Sequence, residues 1–81
     1  MGTDLIAELV PGARIALCAE RAPDSATYAW RIETRFGDGN AAFGKHSAGR
    51  YSSIRLAARE GLPALQETVR DYLANVAWMK G

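Results

Sequence analysis

One histidine and one cysteine carry most of the reactive chemistry available to this 81-residue chain. His46 would need a partner for acid–base catalysis, and the predicted strand pairing places Arg31 opposite it and Glu33 on the diagonal. A single imidazole without a neighbouring nucleophile does not make a catalytic site, so an exposed strand histidine is the better interpretation. Cys18 cannot form an internal disulfide by itself, and we interpret it as a small buried side chain in a reducing cytosol.

Metal and phosphate sites are not indicated by the sequence. A metal site needs three or four ligands, and one histidine, one cysteine and scattered carboxylates offer no known spacing. The glycines of GDGNAAFG lie inside a predicted hairpin, whereas a phosphate-binding loop needs a strand before it and a helix directly after it. We therefore expect a non-enzymatic protein without a cofactor.

The composition describes one small globular domain over residues 1–81. Apolar residues make up 48% of the chain, and two tryptophans, three tyrosines and two phenylalanines can fill a small core. Ten basic residues against nine acidic ones give a net charge of +1, so the whole chain does not attract polyanions. No apolar run has membrane length and the start MGTDLIAEL lacks a basic leader, which predicts a cytoplasmic location.

A short helix and three strands are predicted in the first half of the chain. Residues 4–10 could form the helix, with Leu5, Ile6 and Leu9 on one side and Pro11-Gly12 at its end. Alternation of apolar and polar side chains predicts strands at residues 13–20, 27–36 and 40–47.

The dipeptide Asp38-Gly39 is typical of a two-residue type I′ hairpin, because both central residues of that turn have positive φ. Such a turn would place Phe43 opposite Thr34. Phe43 would then share one face of the sheet with Trp30 and Phe36.

The last third of the chain is predicted to be helical. Ser52 or Ser53 can cap a helix that ends near residue 60, with Gly61 just past its end. Pro63 suits the first turn of a second helix that runs to about residue 78. One continuous helix kinked at Pro63 is the alternative.

The predicted fold class is α+β, in the order αβββαα. It is a three-stranded antiparallel meander packed on one face by the C-terminal helix or helix pair. The predicted core joins the strands to the last helix, and its members are Trp30, Phe36, Phe43, Leu65, Val69 and Val76. The other face should carry a charged centre surrounded by small residues. The small residues are Ala16, Cys18, Ala29, Ala42 and Gly44.

Two surfaces are candidates for binding a partner. The open sheet face presents Arg31, Glu33 and Arg35 in the fixed geometry of a strand. The second surface is a basic edge, which is formed by Lys45, His46, Arg50, Arg55 and Arg59. The positive end of the predicted helix dipole near Ser52 would add to this edge, although a solvated helix face explains the last two arginines equally well.

Gly44, Arg50 and Ala57-Ala58, set in an αβββα order with a basic loop, resemble the double-stranded-RNA-binding domain over residues 4–62. That resemblance implies nucleic-acid binding through the basic edge. In its size and its lack of catalytic motifs, the chain is also similar to the small inhibitors of phages and mobile elements, among which anti-CRISPR proteins form a large group.

We therefore expect an inhibitor that acts by surface complementarity on a protein partner, such as a nucleic-acid-handling complex. The alternative is a nucleic-acid-binding module that uses the basic edge. No membrane partner is expected. A monomer and a homodimer are both left open, because exposed edge strands can pair with each other.

Overall fold

The computed structural model describes residues 2–23 and 25–80. These residues contain four strands and one long helix, in the order ββββα. Side chains are described within residues 4–23 and 25–76. The elements are β1 (Gly2–Val10), β2 (Ala13–Arg21), β3 (Tyr28–Phe36), β4 (Ala41–His46) and α1 (Ile54–Lys80). The predicted α+β class is confirmed, but a fourth strand stands where a helix was predicted.

The strands form an antiparallel meander in which each one pairs with its neighbour along the chain, so β1 and β4 are the edges. The turn Pro11-Gly12 joins β1 to β2, and Gly12 has a φ of 78°, which glycine adopts without steric cost. This turn is tied to the helix, because the hydroxyl of Tyr72 donates to the carbonyl oxygen of Pro11 at 2.5 Å.

The helix predicted at residues 4–10 is wrong, since this segment lies in β1. Leu5, Ile6 and Leu9 have a helical spacing for two separate reasons: a register shift between Asp4 and Ile6 puts Leu5 beside Ile6, and Leu9 is an exposed apolar residue on the other face of the sheet. Such a bulge breaks the simple alternation of a strand. A seven-residue helix is marginal in water, whereas pairing with β2 provides partners for the backbone N–H and C=O groups.

The β3–β4 turn is one residue longer than predicted. The N–H of Phe36 donates to the carbonyl oxygen of Asn40 at 2.8 Å, and the N–H of Gly39 donates to that of Phe36 at 3.0 Å. Gly39 has a φ of 92°, but Asp38 is not in the left-handed region. The turn is therefore a three-residue hairpin loop closed by a left-handed glycine, rather than a type I′ turn.

The longer turn changes the face on which Phe43 lies. Phe43 pairs with Glu33 rather than with Thr34, so its ring is on the side of the sheet away from the helix. A second register shift, between Arg31 and Glu33 on β3, then restores the predicted pairing of Arg31 with His46. Two residues of β4 lie opposite one residue of β3 at this bulge.

A single helix replaces the predicted pair, as the alternative prediction had it. α1 begins after Ser53, whose Oγ accepts the N–H of Leu56 at 3.1 Å, and it continues through Gly61 and Pro63. Proline inside a helix removes one backbone hydrogen bond, so packing against the sheet must offset that loss. No helix in the described ranges combines the length and the apolar character that crossing a membrane requires.

Gly61 lies where α1 packs closely against the sheet. A Cβ at this position would stand 2.6 Å from Cδ1 of Leu17 and 2.9 Å from Cγ of Trp30. Glycine therefore allows the helix axis to approach β2 and β3 at this point. The residue that was predicted to end a helix instead marks a helix–sheet contact.

The core lies between α1 and the two central strands. Ile15, Leu17, Ile32 and Leu65 are each at most 1% exposed. Partly buried apolar residues surround them, namely Leu5, Val10, Trp30, Leu62, Ala64, Val69 and Tyr72. Val76, which was also predicted for the core, is half-buried.

The predicted aromatic core is confirmed only in part. Leu65 is buried, and Trp30 and Val69 pack against the buried cluster. The assignment of Phe36 and Phe43 to the core is wrong, because these side chains are 38% and 63% exposed. Phe36 is the last residue of β3, and Phe43 lies on the opposite face after the change of register.

Candidate functional site

The open face is the side of the sheet that lies opposite α1. Strand pairing sets its side chains in three cross-strand rows. The rows are Leu9, Arg14, Arg35 and Ala41; then Ala7, Ala16, Glu33 and Phe43; then Asp4, Cys18, Arg31 and His46. Ala42, which was predicted for this face, pairs with Thr34 and therefore lies on the helix side.

Three arginine–carboxylate pairs organise the open face. They are Arg14 with Asp4, Arg31 with Glu20, and Arg35 with Glu33. The first and third have N···O distances of 3.0 and 2.7 Å. Beneath these pairs Ala16 and Cys18 are only 2% exposed, although α1 lies on the other side. The long side chains therefore cover the small ones and bring balanced charge to the surface.

Phe43 is the large aromatic side chain of the open face. Its ring centroid is 4.8 Å from the guanidinium carbon of Arg31, which is the geometry of a cation–π contact. The residue remains 63% exposed. An exposed aromatic ring held in place by an arginine is the type of group that dominates protein–protein binding.

Cys18 is an unreactive part of this face. Its thiol donates to Oδ1 of Asp4 at 3.1 Å. Burial, followed by that hydrogen bond, raises the pKa of Cys18 to about 11. The thiolate is the nucleophilic form, so a thiol that stays protonated at neutral pH has little reactivity. Its burial confirms the prediction of a small buried side chain.

Asp4 makes the stability of the sheet depend on pH. Hydrogen bonds from Cys18 and then from Arg14 lower the pKa of Asp4 below its ordinary value of 3.8. Its contribution is therefore complete above that ordinary pKa and is lost as pH falls through the lowered folded-state value. Asp4→Asn should lose less stability than the wild type between about pH 5 and pH 2 in denaturant titrations. Equal losses in both proteins would contradict this assignment.

Lys45 of the predicted basic edge faces the helix. Its Nζ is 2.7 Å from Oε1 of Glu67 in α1. The hydrogen bond from Lys45, followed by its charge, lowers the pKa of Glu67. The charge of Lys45 is therefore already matched within the chain and does not add to the surface that carries His46.

The other members of the basic edge are spread over three places. His46 is at the end of β4, with its Nδ1 3.2 Å from the carbonyl oxygen of Ser47. Arg50 is exposed in the loop before α1, and Arg55 and Arg59 are exposed on the helix itself. Within the described ranges, no salt bridge joins these three arginines to a carboxylate.

A groove of about 430 Å³ lies between β1 and α1. Glu8 lines it from the strand, and α1 contributes Leu62, Leu65, Gln66, Val69, Arg70 and Leu73. Its lining is mainly apolar, and Leu73 is 43% exposed. The sequence prediction missed this groove because residues 4–10 were assigned to a helix. The sequence does contain one sign of the groove. Leu62 and Leu73 make the apolar side of α1 wider than packing against a sheet alone requires.

Described side chains include no group of three or more histidines, cysteines and carboxylates placed to hold a metal ion. Comparisons with protein-family models, curated proteins and solved structures give no match. The function is therefore inferred from the geometry of the open face, the basic edge and the groove.

Proposed function

We propose that this chain is a non-enzymatic protein-binding domain, an inhibitor that acts by surface complementarity through its open face. The ring of Phe43, fixed 4.8 Å from Arg31 and yet 63% exposed, carries this proposal. Aromatic and arginine side chains are enriched among the few residues that carry most of the binding energy of a protein interface, and here one of each lies side by side on one strand pair.

The charge of the open face favours a protein partner over a nucleic acid. Binding to a nucleic acid depends on unpaired positive charges that replace the counterions of the phosphates. On the open face Arg14, Arg31 and Arg35 are each paired with a carboxylate. A partner surface with mixed charges around an apolar spot for Phe43 would complement this arrangement.

The rigid strand that carries the charged side chains of the open face favours tight binding. Arg31, Glu33 and Arg35 lie on β3, an internal strand that is paired on both sides. Their ion pairs restrict the side chains before a partner arrives, so less conformational entropy is lost on binding. The surface therefore suits a preformed complementary face better than a flexible ligand.

Phe43→Ala and Arg31→Glu should each weaken binding of the protein partner by ~30-fold or more, as the loss of an interface hot spot does. The partner is first captured from extracts of the native host and then purified, and its affinity is measured by calorimetry. Two matched controls on other surfaces should keep wild-type affinity: Leu73→Ala in the groove and Arg59→Glu on α1.

A different pattern would favour the alternative function. Sub-micromolar, salt-sensitive binding to a mixed pool of duplex and single-stranded DNA and RNA at about 0.15 M salt would indicate a nucleic-acid-binding module. In that case Arg50→Glu, Arg55→Glu and Arg59→Glu should abolish binding, and Phe43→Ala should leave it unchanged.

A further inference from the structure

The two edges of the sheet differ in how well they are protected. β4 has six residues and includes Lys45, and both features hinder pairing with another strand. Both edge strands carry a bulge, but that of β1 is confined to its start, between Asp4 and Ile6. β1 has nine residues and contains neither lysine nor proline. It also exposes Leu9 to 84% and Ile6 to 38%. β1 is therefore the edge that is open to another strand.

The register of β1 restricts how it could pair with a copy of itself. The strand pairs regularly with β2 from Ile6 to Val10, after the shift near its start. A two-fold axis at Glu8 would set two carboxylates directly opposite each other, which destabilises a strand pair. An axis at Leu9 would bring in Pro11, which has no N–H to donate. An axis at Ala7 avoids both problems.

We propose that β1 pairs antiparallel with β1 of a second copy, across a two-fold axis at Ala7 that is perpendicular to the sheet. Glu8 then lies opposite Ile6 of the second copy, and the regular pairing ends where Leu9 meets Leu5, the extra residue of the bulge. The result is a continuous eight-stranded sheet with both helices on one side. The open faces join into one surface, and the two grooves face each other across the axis.

We infer that the strand pairing with the free edge of β1 comes from a second copy of the chain, because β1 is self-complementary at this register. Its apolar Ile6 meets the aliphatic stem of Glu8, and the two small Ala7 side chains lie side by side at the axis without steric conflict. Closed two-fold pairs are the commonest oligomers, and each interaction occurs twice in such a pair. The inference does not rest on the proposed function, because the β1 edge and Phe43 are on different parts of the sheet.

Sedimentation over a range of concentrations tests the pairing. We expect the mass to rise from 8.8 kDa to twice that value as the concentration increases. Ala7→Lys should hold the protein as a monomer, because two ammonium groups would meet at the axis. Ala41→Lys is the matched control, since Ala41 is also an exposed alanine of an edge strand on the open face. It should dimerise like the wild type.

Cysteine cross-linking tests the register. With the axis at Ala7, the two Ala7 Cα atoms are ~4.5–5.5 Å apart, so Ala7→Cys should form an intermolecular disulfide under mild oxidation. The two Leu9 residues are offset by four positions, or ~14 Å, so Leu9→Cys should not. A monomer at every concentration, or cross-linking by Leu9→Cys and not by Ala7→Cys, would overturn the proposal.

Discussion

Replacing Trp30 with alanine is expected to lower the free energy of unfolding by ~3–5 kcal/mol, a large part of the ~5–15 kcal/mol of a whole domain. Trp30 packs against the buried cluster of Ile15, Leu17, Ile32 and Leu65. Its indole Nε1 is buried without a hydrogen-bond partner among the described residues. The loss would therefore come from packing and apolar area, because no side-chain hydrogen bond is removed.

Urea unfolding followed by circular dichroism measures this loss. Phe43→Ala is the matched control, because the same kind of truncation at a 63% exposed ring should change stability by only ~0.5 kcal/mol. If Trp30→Ala and Phe43→Ala shift the unfolding midpoint equally, the assignment of the two faces of β3 and β4 is incorrect.

Gly61→Leu is expected to cost ~3 kcal/mol or more, and Gly61→Ala ~1–3 kcal/mol. At an exposed helical position, glycine to alanine stabilises a protein by ~0.5–1 kcal/mol. Here the sign reverses, because the new Cβ would stand 2.6 Å from Cδ1 of Leu17 and 2.9 Å from the rigid ring of Trp30. The helix or both side chains must move.

Thermal unfolding of the two variants tests this sign. Gly44→Ala is a suitable control, because no atom lies within 4 Å of a Cβ at that position. A higher melting temperature for Gly61→Ala would show that the helix is further from the sheet than described. In the Trp30→Ala background, Gly61→Ala should cost less than in the wild type, since residues in contact are energetically coupled.

The sequence predicts the central strands well and the edges poorly. β2 and β3 have clean alternation, and their predicted bounds agree with the structure to within one residue. β1 was missed because a bulge near Leu5 interrupts its alternation and because Leu9 is apolar although it lies exposed on the open face. Local propensity also failed at Gly61. Glycine commonly ends a helix, but here it lies inside α1, where its lack of a side chain allows close contact with Trp30.

For the candidate site, the sequence prediction depended on one turn. Arg31, Glu33 and Arg35 lie on β3, where alternation alone placed them on the face away from the helix. Phe43 could not be placed with them, because a loop longer by one residue moves the side chains of residues 41–43 to the other face, up to the bulge that restores the predicted pairing at His46. The groove between β1 and α1 depends on two elements that only the tertiary structure brings together.

The bond between Tyr72 and Pro11 joins the last element of the fold to the first turn. Translation runs from the amino end, so all four strands leave the ribosome before α1 does. Until Leu65 follows, Ile15 and Leu17 have no helix to pack against. The nascent meander therefore carries an uncovered apolar surface of the kind that chaperones bind, and the chain is most prone to aggregate in the interval before its helix emerges from the ribosome.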